Sequence, residues 1–388
     1  LKNNNDKTQI VIKTLTGLEE VLAGELLALG IESPVVLNRA VEFHGTKEQL
    51  YKANYFCRTA LRVLKVIGTF TVVDEHDLYN KIKQVKWSDY MSINQTLAVN
   101  AVVKRSRITH SQYAALKTKD AIVDQFREEF NKRPSVDLDD PDLRINVHLN
   151  GTDCTLSIDS SGEPLFKRGY RRIQGEAPMS EVLAAGMIML SGWDGKQTLL
   201  DPMCGSGTIL SEACMISANV PAGHYRRFFA FEKWRDFDAE LWEKIKVDGR
   251  KAMGRVKAKI VGSDKSSRTL NAAQINLRAS RFEKYVELKA ISFEHSTPPS
   301  EEGIIITNPP YGERIENTDL PGLYKMIGDV LKKYYSGWEA WLITSDSPAL
   351  KSVGLRTSKK IVLFNGPLEC RFVKYELYKG TKKTKYQE

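Results

Sequence analysis

Thr198-Leu199-Leu200-Asp201-Pro202-Met203-Cys204-Gly205-Ser206-Gly207-Thr208 is the stretch on which the reading of this chain turns. A short apolar strand, a turn holding two glycines and a helix from Ile209 follow one another. Only in that setting does a Gly-x-Gly signal carry meaning. The glycines allow close approach to the backbone, and the helix N-terminus presents free N–H groups. No Gly-Lys-Ser/Thr follows, so a nucleoside-triphosphate loop is disfavoured. A two-glycine turn that only packs is the plainer alternative.

Downstream the pattern repeats. A strand from Lys259 to Ser263 ends in Asp264, where such folds hold ribose hydroxyls; a helix N-cap is the simpler role for the same residue. Asp264 follows Gly207 by far more than the usual ~20 positions. An insertion over the basic-aromatic segment from about Asn219 to Ala258 explains the gap. Further on, Ile304-Ile305-Ile306 delivers Asn308-Pro309-Pro310-Tyr311 to a strand's carboxyl end. The residues before the prolines are pushed toward extended conformations, and neither proline donates a backbone N–H. The expected product is a rigid shelf of carbonyl acceptors, one amide side chain and a ring face, at the sheet edge where ligands bind. It suits a flat nucleobase, with Tyr311 stacked on the ring while Asn308 and the Pro309 carbonyl accept from an exocyclic amine. Strands from Trp338 to Thr344, Ile361 to Phe364 and Arg371 to Leu377 complete the set. The fold class is therefore α/β: a mostly parallel seven-stranded sheet with an antiparallel edge hairpin over 179–388.

The front of the chain alternates short strands and helices, which suits small α+β modules over 1–60 and 61–160, with 161–178 as a linker. Thr16 with Glu19 reads as a capping box, and Gly30 as a helix terminator. Of 388 residues, 42% are apolar, and no apolar run approaches the ~20 residues that span a membrane. The polar start, Leu1 to Asp6, lacks a signal-peptide core, so a cytoplasmic protein is expected. Five scattered cysteines with no CxxC pair argue for reduced, buried thiols and against disulfides or a metal site. The net charge of +9 points to a polyanionic partner. Two basic clusters are interleaved with aromatics: Lys167 to Arg172, and Arg226 to Arg235 with Phe228, Phe229, Phe231 and Trp234. Each is either a nucleic-acid contact or a solvated face.

Taken together, Asp201 to Thr208 and Asn308-Pro309-Pro310-Tyr311-Gly312-Glu313-Arg314 resemble class I S-adenosylmethionine-dependent methyltransferases acting on exocyclic amines. Lys167-Arg168-Gly169-Tyr170-Arg171, Ala177-Pro178 and Glu181 narrow the resemblance to THUMP-domain RNA guanine-N2 methyltransferases. Nearly the whole chain is similar to their RlmL (YpsC-like) family, which acts on large-subunit ribosomal RNA. The resemblance implies a ferredoxin-like region (1–60), a THUMP RNA-binding domain (61–160) and a Rossmann-like catalytic domain (179–388). It implies S-adenosylmethionine as cofactor, held by Asp201, Pro202, Cys204, Gly205, Ser206, Gly207, Thr208, Asp264 and Asn308. The family usually carries an acidic residue just after the third strand to grip the adenine amine; here Lys289-Ala290-Ile291-Ser292-Phe293 stands there, with Ser292 as the candidate substitute. The implied partner is ribosomal RNA or an assembly intermediate of the large subunit. Candidate RNA contacts are Lys104, Arg105, Arg107, Arg168, Tyr170, Arg171, Arg172, Arg226, Arg227 and Arg314.

Asn308, Pro309, Pro310 and Tyr311 are the expected catalytic set, working mainly by positioning. A carbon-5 methyltransferase would need a nucleophilic cysteine at the shelf, and none of the five lies there. Two rivals stay open: an adenine-N6 methyltransferase on nucleic acid, and a non-catalytic RNA-binding assembly factor with a relic pocket.

Overall fold

The structure, a computed structural model, describes residues 7–174, 179–311 and 319–378. The chain divides into two compact units. The first comprises 1–14, 23–165 and 226–248; the second comprises 15–22, 166–225 and 249–388.

Among the described residues of the first unit, eight strands form one sheet. They are β1 Thr8–Lys13, β2 Val35–Leu37, β3 Ala40–Gly45, β4 Arg62–Thr71, β5 Thr96–Lys104, β6 Ser135–Val136, β7 Leu143–Asn150 and β8 Asp153–Asp159. Their order is β2-β3-β1-β4-β8-β7-β5-β6. β4 pairs with β1 on one side and β8 on the other, so the two expected front modules share a continuous sheet. Strict alternation in β7, with Leu143, Ile145, Val147 and Leu149 buried, is the period-2 signature of a strand with one covered face. The segment 226–248 completes this unit's core. Phe231 stacks on Tyr51 at 4.2 Å between centroids, and Trp242 meets Phe229 and Phe231 edge-on. The long gap before Asp264 thus includes a stretch, 226–248, that belongs to the first unit.

The second unit holds seven strands among its described residues: β9 Leu199–Asp201, β10 Ile260–Asp264, β11 Val286–Ala290, β12 Ile304–Thr307, β13 Glu339–Thr344, β14 Lys359–Asn365 and β15 Leu368–Glu376. The order is β11-β10-β9-β12-β13-β15-β14. Every pairing is parallel except those of β15, which runs against both β13 and β14. Parallel strands covered on both faces need continuous apolar sequence, and all four residues of β12 are buried. Leu200, Val261, Ile305, Ala340 and Leu342 pack with Tyr324, Ile327 and Leu331 of the helix Leu320–Tyr334. That helix starts where the Asp319 carboxylate accepts the Gly322 N–H at 2.9 Å.

Candidate functional site at the carboxyl edge of the second sheet

Strand order reverses between β9 and β12: the chain builds outward to β11 from one and to β14 from the other. The carboxyl ends of these two parallel neighbours are the switch point at which open α/β sheets bind ligands. A buried hydrogen bond ties them together, Thr307 Oγ1 donating to Asp201 Oδ1 at 2.8 Å. Thr307 immediately precedes Asn308, so this bond links the glycine turn to the shelf. Asp201 is 1% exposed, and burial raises its carboxyl to about 7, against the lowering effect of the Thr307 and Met203 donors. Nearby Asp264 adds a smaller push in the same direction as burial.

The two glycines of the turn do different work. Gly207 lies at φ +79, and a Cβ there would sit 3.1 Å from the Ala273 side chain, so it serves close packing against helix Ser267–Ala279. Gly205 lies at φ +53 with nothing within 4 Å of where a Cβ would stand, which leaves an open backbone face. Asp264 flanks it, accepting the Gly205 N–H at 3.2 Å on one oxygen and the Ser266 N–H at 2.9 Å on the other. A carboxylate accepts about four hydrogen bonds, so it retains capacity for hydroxyls; the N-cap of helix Ser267–Ala279 is Ser266, whose hydroxyl accepts the Thr269 N–H at 3.2 Å. Cys204 is buried, and burial pushes its thiol well above the ordinary range, which fits a packing role. Ser292 stands two residues past β11 on the same edge, half-buried. An open glycine backbone, an accepting carboxylate and a polar hydroxyl on one sheet edge fit an adenosine-bearing cofactor.

Asn308-Pro309-Pro310-Tyr311 follows the end of β12. Pro309 is buried; Asn308, Pro310 and Tyr311 are half-buried. The Asn308 Oδ1 atom is buried and has no hydrogen-bond partner among the described residues. A buried acceptor left unpaired costs ~1–3 kcal/mol, and at this sheet edge a ligand's donor would meet it. The Tyr311 hydroxyl accepts from Asn365 Nδ2 at 2.8 Å, with Cys370 Sγ at 3.8 Å.

Comparison with known proteins places this geometry. A model of the RMKL-like methyltransferase domain matches residues 168–374, a THUMP-domain model residues 72–159, and a model of the RlmL ferredoxin-like domain residues 9–64. The chain belongs to the RMKL-like methyltransferase family. A candidate RNA methyltransferase of Synechocystis sp. is 40% identical over 365 residues, covering 93% of this chain and 95% of its own. Ribosomal RNA large subunit methyltransferase K/L of Psychromonas ingrahamii is 40% identical over 373 residues. That match takes in 94% of this chain but 50% of the relative, so the chain spans about half the length of the K/L protein. A crystallised methyltransferase candidate complexed with SAH has a TM-score of 0.87 at 28% identity, covering 97% of this chain and 100% of that one.

Within this RMKL-like domain the basic-aromatic clusters are corrected by the structure. Arg168 is 1% exposed and lies 3.5 Å from the Glu212 carboxylate, to which the buried Tyr170 hydroxyl also donates at 2.9 Å. Arg171 lies 3.1 Å from Glu181 and donates to Thr208 Oγ1 at 2.7 Å, bracing the helix that follows the glycine turn. Arg226 donates to the carbonyls of Ser161, Glu163 and Pro164, and its guanidinium lies 5.0 Å from the centre of the Phe229 ring. Phe229, Phe231 and Trp234 are core residues rather than a stacking surface. Arg168 and Tyr170 are buried, while Arg171 and Arg226 are half-buried and engaged by groups of their own unit: short basic-aromatic runs read alike whether they face water or a buried carboxylate. Lys104, Arg105, Arg107, Arg172 and Arg227 are exposed. Arg314, Ala177 and Pro178 lie outside the described residues. Two positioning groups went unread in the sequence. Thr307 is one. The other is Asn276, 2% exposed, whose amide binds the Ser206 carbonyl at 3.0 Å and the Ile173 carbonyl at 2.9 Å. Neither carries a local signal. All five cysteines are free and buried, as expected. Among the described residues no helix is long and apolar enough to cross a membrane.

Proposed function

We propose that this protein uses S-adenosylmethionine to methylate the exocyclic N2 amine of a guanine in large-subunit ribosomal RNA or an assembly intermediate, in the cytoplasm. The unpaired, buried Asn308 Oδ1 carries this reading. It is an acceptor with no partner among the described residues, next to a proline that cannot donate and a ring that can stack. The open backbone at Gly205, together with Asp264 and Ser292, would hold the cofactor.

The cofactor, when bound, supplies an electrophilic methyl group. The chain supplies geometry. An aryl amine is a weak nucleophile because its lone pair is delocalised into the ring. Asn308 Oδ1 and the Pro309 carbonyl accept both amine hydrogens and favour a more pyramidal nitrogen, freeing the lone pair. No strong base is required, since the nitrogen becomes acidic as it is alkylated, and a neutral Asn suits that demand. Tyr311 stacks on a base turned out of any helix. Positioning of this kind supplies most of the rate.

The test is transfer of labelled methyl to protein-free large-subunit RNA from cells lacking this protein, followed by digestion to nucleosides. Labelled N2-methylguanosine is the expected product. Labelled N6-methyladenosine would replace guanine by adenine, and an absence of both label and cofactor binding would favour the assembly-factor reading.

A further inference from the structure

We infer that Asn365, on the edge hairpin, is a positioning residue for the target base, acting through Tyr311; this rests on the reading proposed above. β14 runs parallel to β12, because it is antiparallel to β15 and β15 is antiparallel to β13. Its last residue, Asn365, therefore rises at the same sheet edge as Asn308. The hairpin is tight: Asn365 pairs with Leu368 across Gly366 and Pro367, with Gly366 at φ +62. That two-residue turn fixes where the Asn365 amide points, and it points at the Tyr311 hydroxyl, 2.8 Å away. Cys370 Sγ, on the partner strand of the same hairpin, lies 3.8 Å from the same oxygen.

A hydrogen bond to a phenol oxygen lies close to the ring plane. It therefore fixes the tilt of the ring without covering either face, which is what a stacking platform needs. The two ends of the base site then have separate supports. Asn308 grips the amine from the end of β12, and the hairpin sets the plane against which the ring of the base rests. Without the Asn365 bond, among the described residues only the longer contact from Cys370 Sγ remains on the hydroxyl, and the ring's tilt is less firmly set.

The experiment compares the full-length wild type with Asn365→Ala, Tyr311→Phe, their double variant, Asn365→Asp and Tyr311→Ala, measuring kcat and KM for RNA methylation and the cofactor Kd. Tyr311→Phe keeps the ring and loses the tether, so it should match Asn365→Ala. Each should lower kcat/KM by roughly three- to tenfold, the range of one net hydrogen bond. The double variant should be no worse than either single one, because both remove the same bond. Asn365→Asp, whose carboxylate accepts from the phenol, should restore most of the activity. Tyr311→Ala should fall well below all of them, and the cofactor Kd should stay constant throughout. Additive losses, full activity in Asn365→Ala, or losses that follow cofactor affinity would overturn the inference while leaving the methyltransferase reading intact. An inactive wild type would overturn both.

Discussion

The shelf at Asn308 and the basic segment around Arg168 are built from similarly polar residues, yet the fold places them differently. Arg168 is enclosed with Glu212 and Tyr170, and Arg171 with Glu181 and Thr208. Their charges are answered within the unit. Asn308 is delivered by a fully buried strand and still holds an acceptor with no partner among the described residues. Residue type alone therefore decides little. Burial without a partner does not decide it either, since Glu212 Oε2 lacks a hydrogen-bond partner among the described residues too. What separates site from scaffold here is that Asn308 stands at the carboxyl edge of a mostly parallel sheet, where ligands bind.

The largest expected effect breaks the scaffold side of that comparison. Arg168→Ala should destabilise the protein by about 3–5 kcal/mol, because it strands the Glu212 carboxylate in a dry interior. Thermal unfolding checks this, alongside RNA binding as a function of salt. A variant of wild-type stability whose RNA binding had a shallower salt slope would return Arg168 to the RNA-contacting set. On the site side, Asn308→Ala should cut methyl transfer by about 100-fold or more. Cofactor affinity should stay within a few-fold, and melting should be little changed, since the group removed was unpaired. Turnover above about a tenth of wild type would sink the role given to its amide.

Asp201 sharpens the comparison, because it is both buried scaffold and neighbour of the site. Burial holds its carboxyl protonated up to about 7, against an ordinary value near 3.8. Between those values the folded chain binds more protons than the unfolded one, so stability falls as pH rises. The contribution is fully present below about pH 4 and is lost as pH climbs through 7. Glu181, raised by burial to about 7 despite Arg171, adds in the same direction. Asp201→Asn keeps an oxygen for the Thr307 hydroxyl and should flatten the curve by roughly 2 kcal/mol between pH 5 and 7. Melting curves of the two proteins that stay parallel over that range would refute the assignment.

The sequence made the strand–turn–helix at Leu199 to Ser217 and the shelf legible because their causes are local. Apolar runs, paired glycines and stiff prolines act on neighbouring residues. The supports of the site are of another kind. Thr307 to Asp201, Asn276 to Ser206 and Asn365 to Tyr311 join residues 106, 70 and 54 positions apart. A threonine or asparagine that will meet such a partner looks like any other in the sequence. The same limit applies to caps. The Glu19 carboxylate accepts from Gly17 N–H, whereas the reciprocal Thr–Gln capping box is found at Thr46 and Gln49. The burial of Arg168 escaped the sequence for the same reason, since the Glu212 carboxylate that claims it comes from a distant part of the chain.

The smallest effect bears on cations that the first unit leaves in water. Lys104, Arg105 and Arg107 are exposed where β5 ends, and Arg105 holds a left-handed backbone at φ +49. If such side chains meet RNA phosphates, each releases a counterion on binding. Arg105→Ala and Arg107→Ala should then each weaken RNA binding a few-fold at moderate salt and lower the slope of log K against log salt by about 1. Stability should move by no more than ~0.5 kcal/mol, as for ordinary surface substitutions. The pairing of these two readouts carries the argument. Arg168→Ala is expected to change stability without the salt slope, and Arg105→Ala the slope without stability. If Arg105→Ala left the slope unchanged, the exposed cations after β5 would be solvated surface, and the RNA would have to be sought along Arg172 and Arg227 instead.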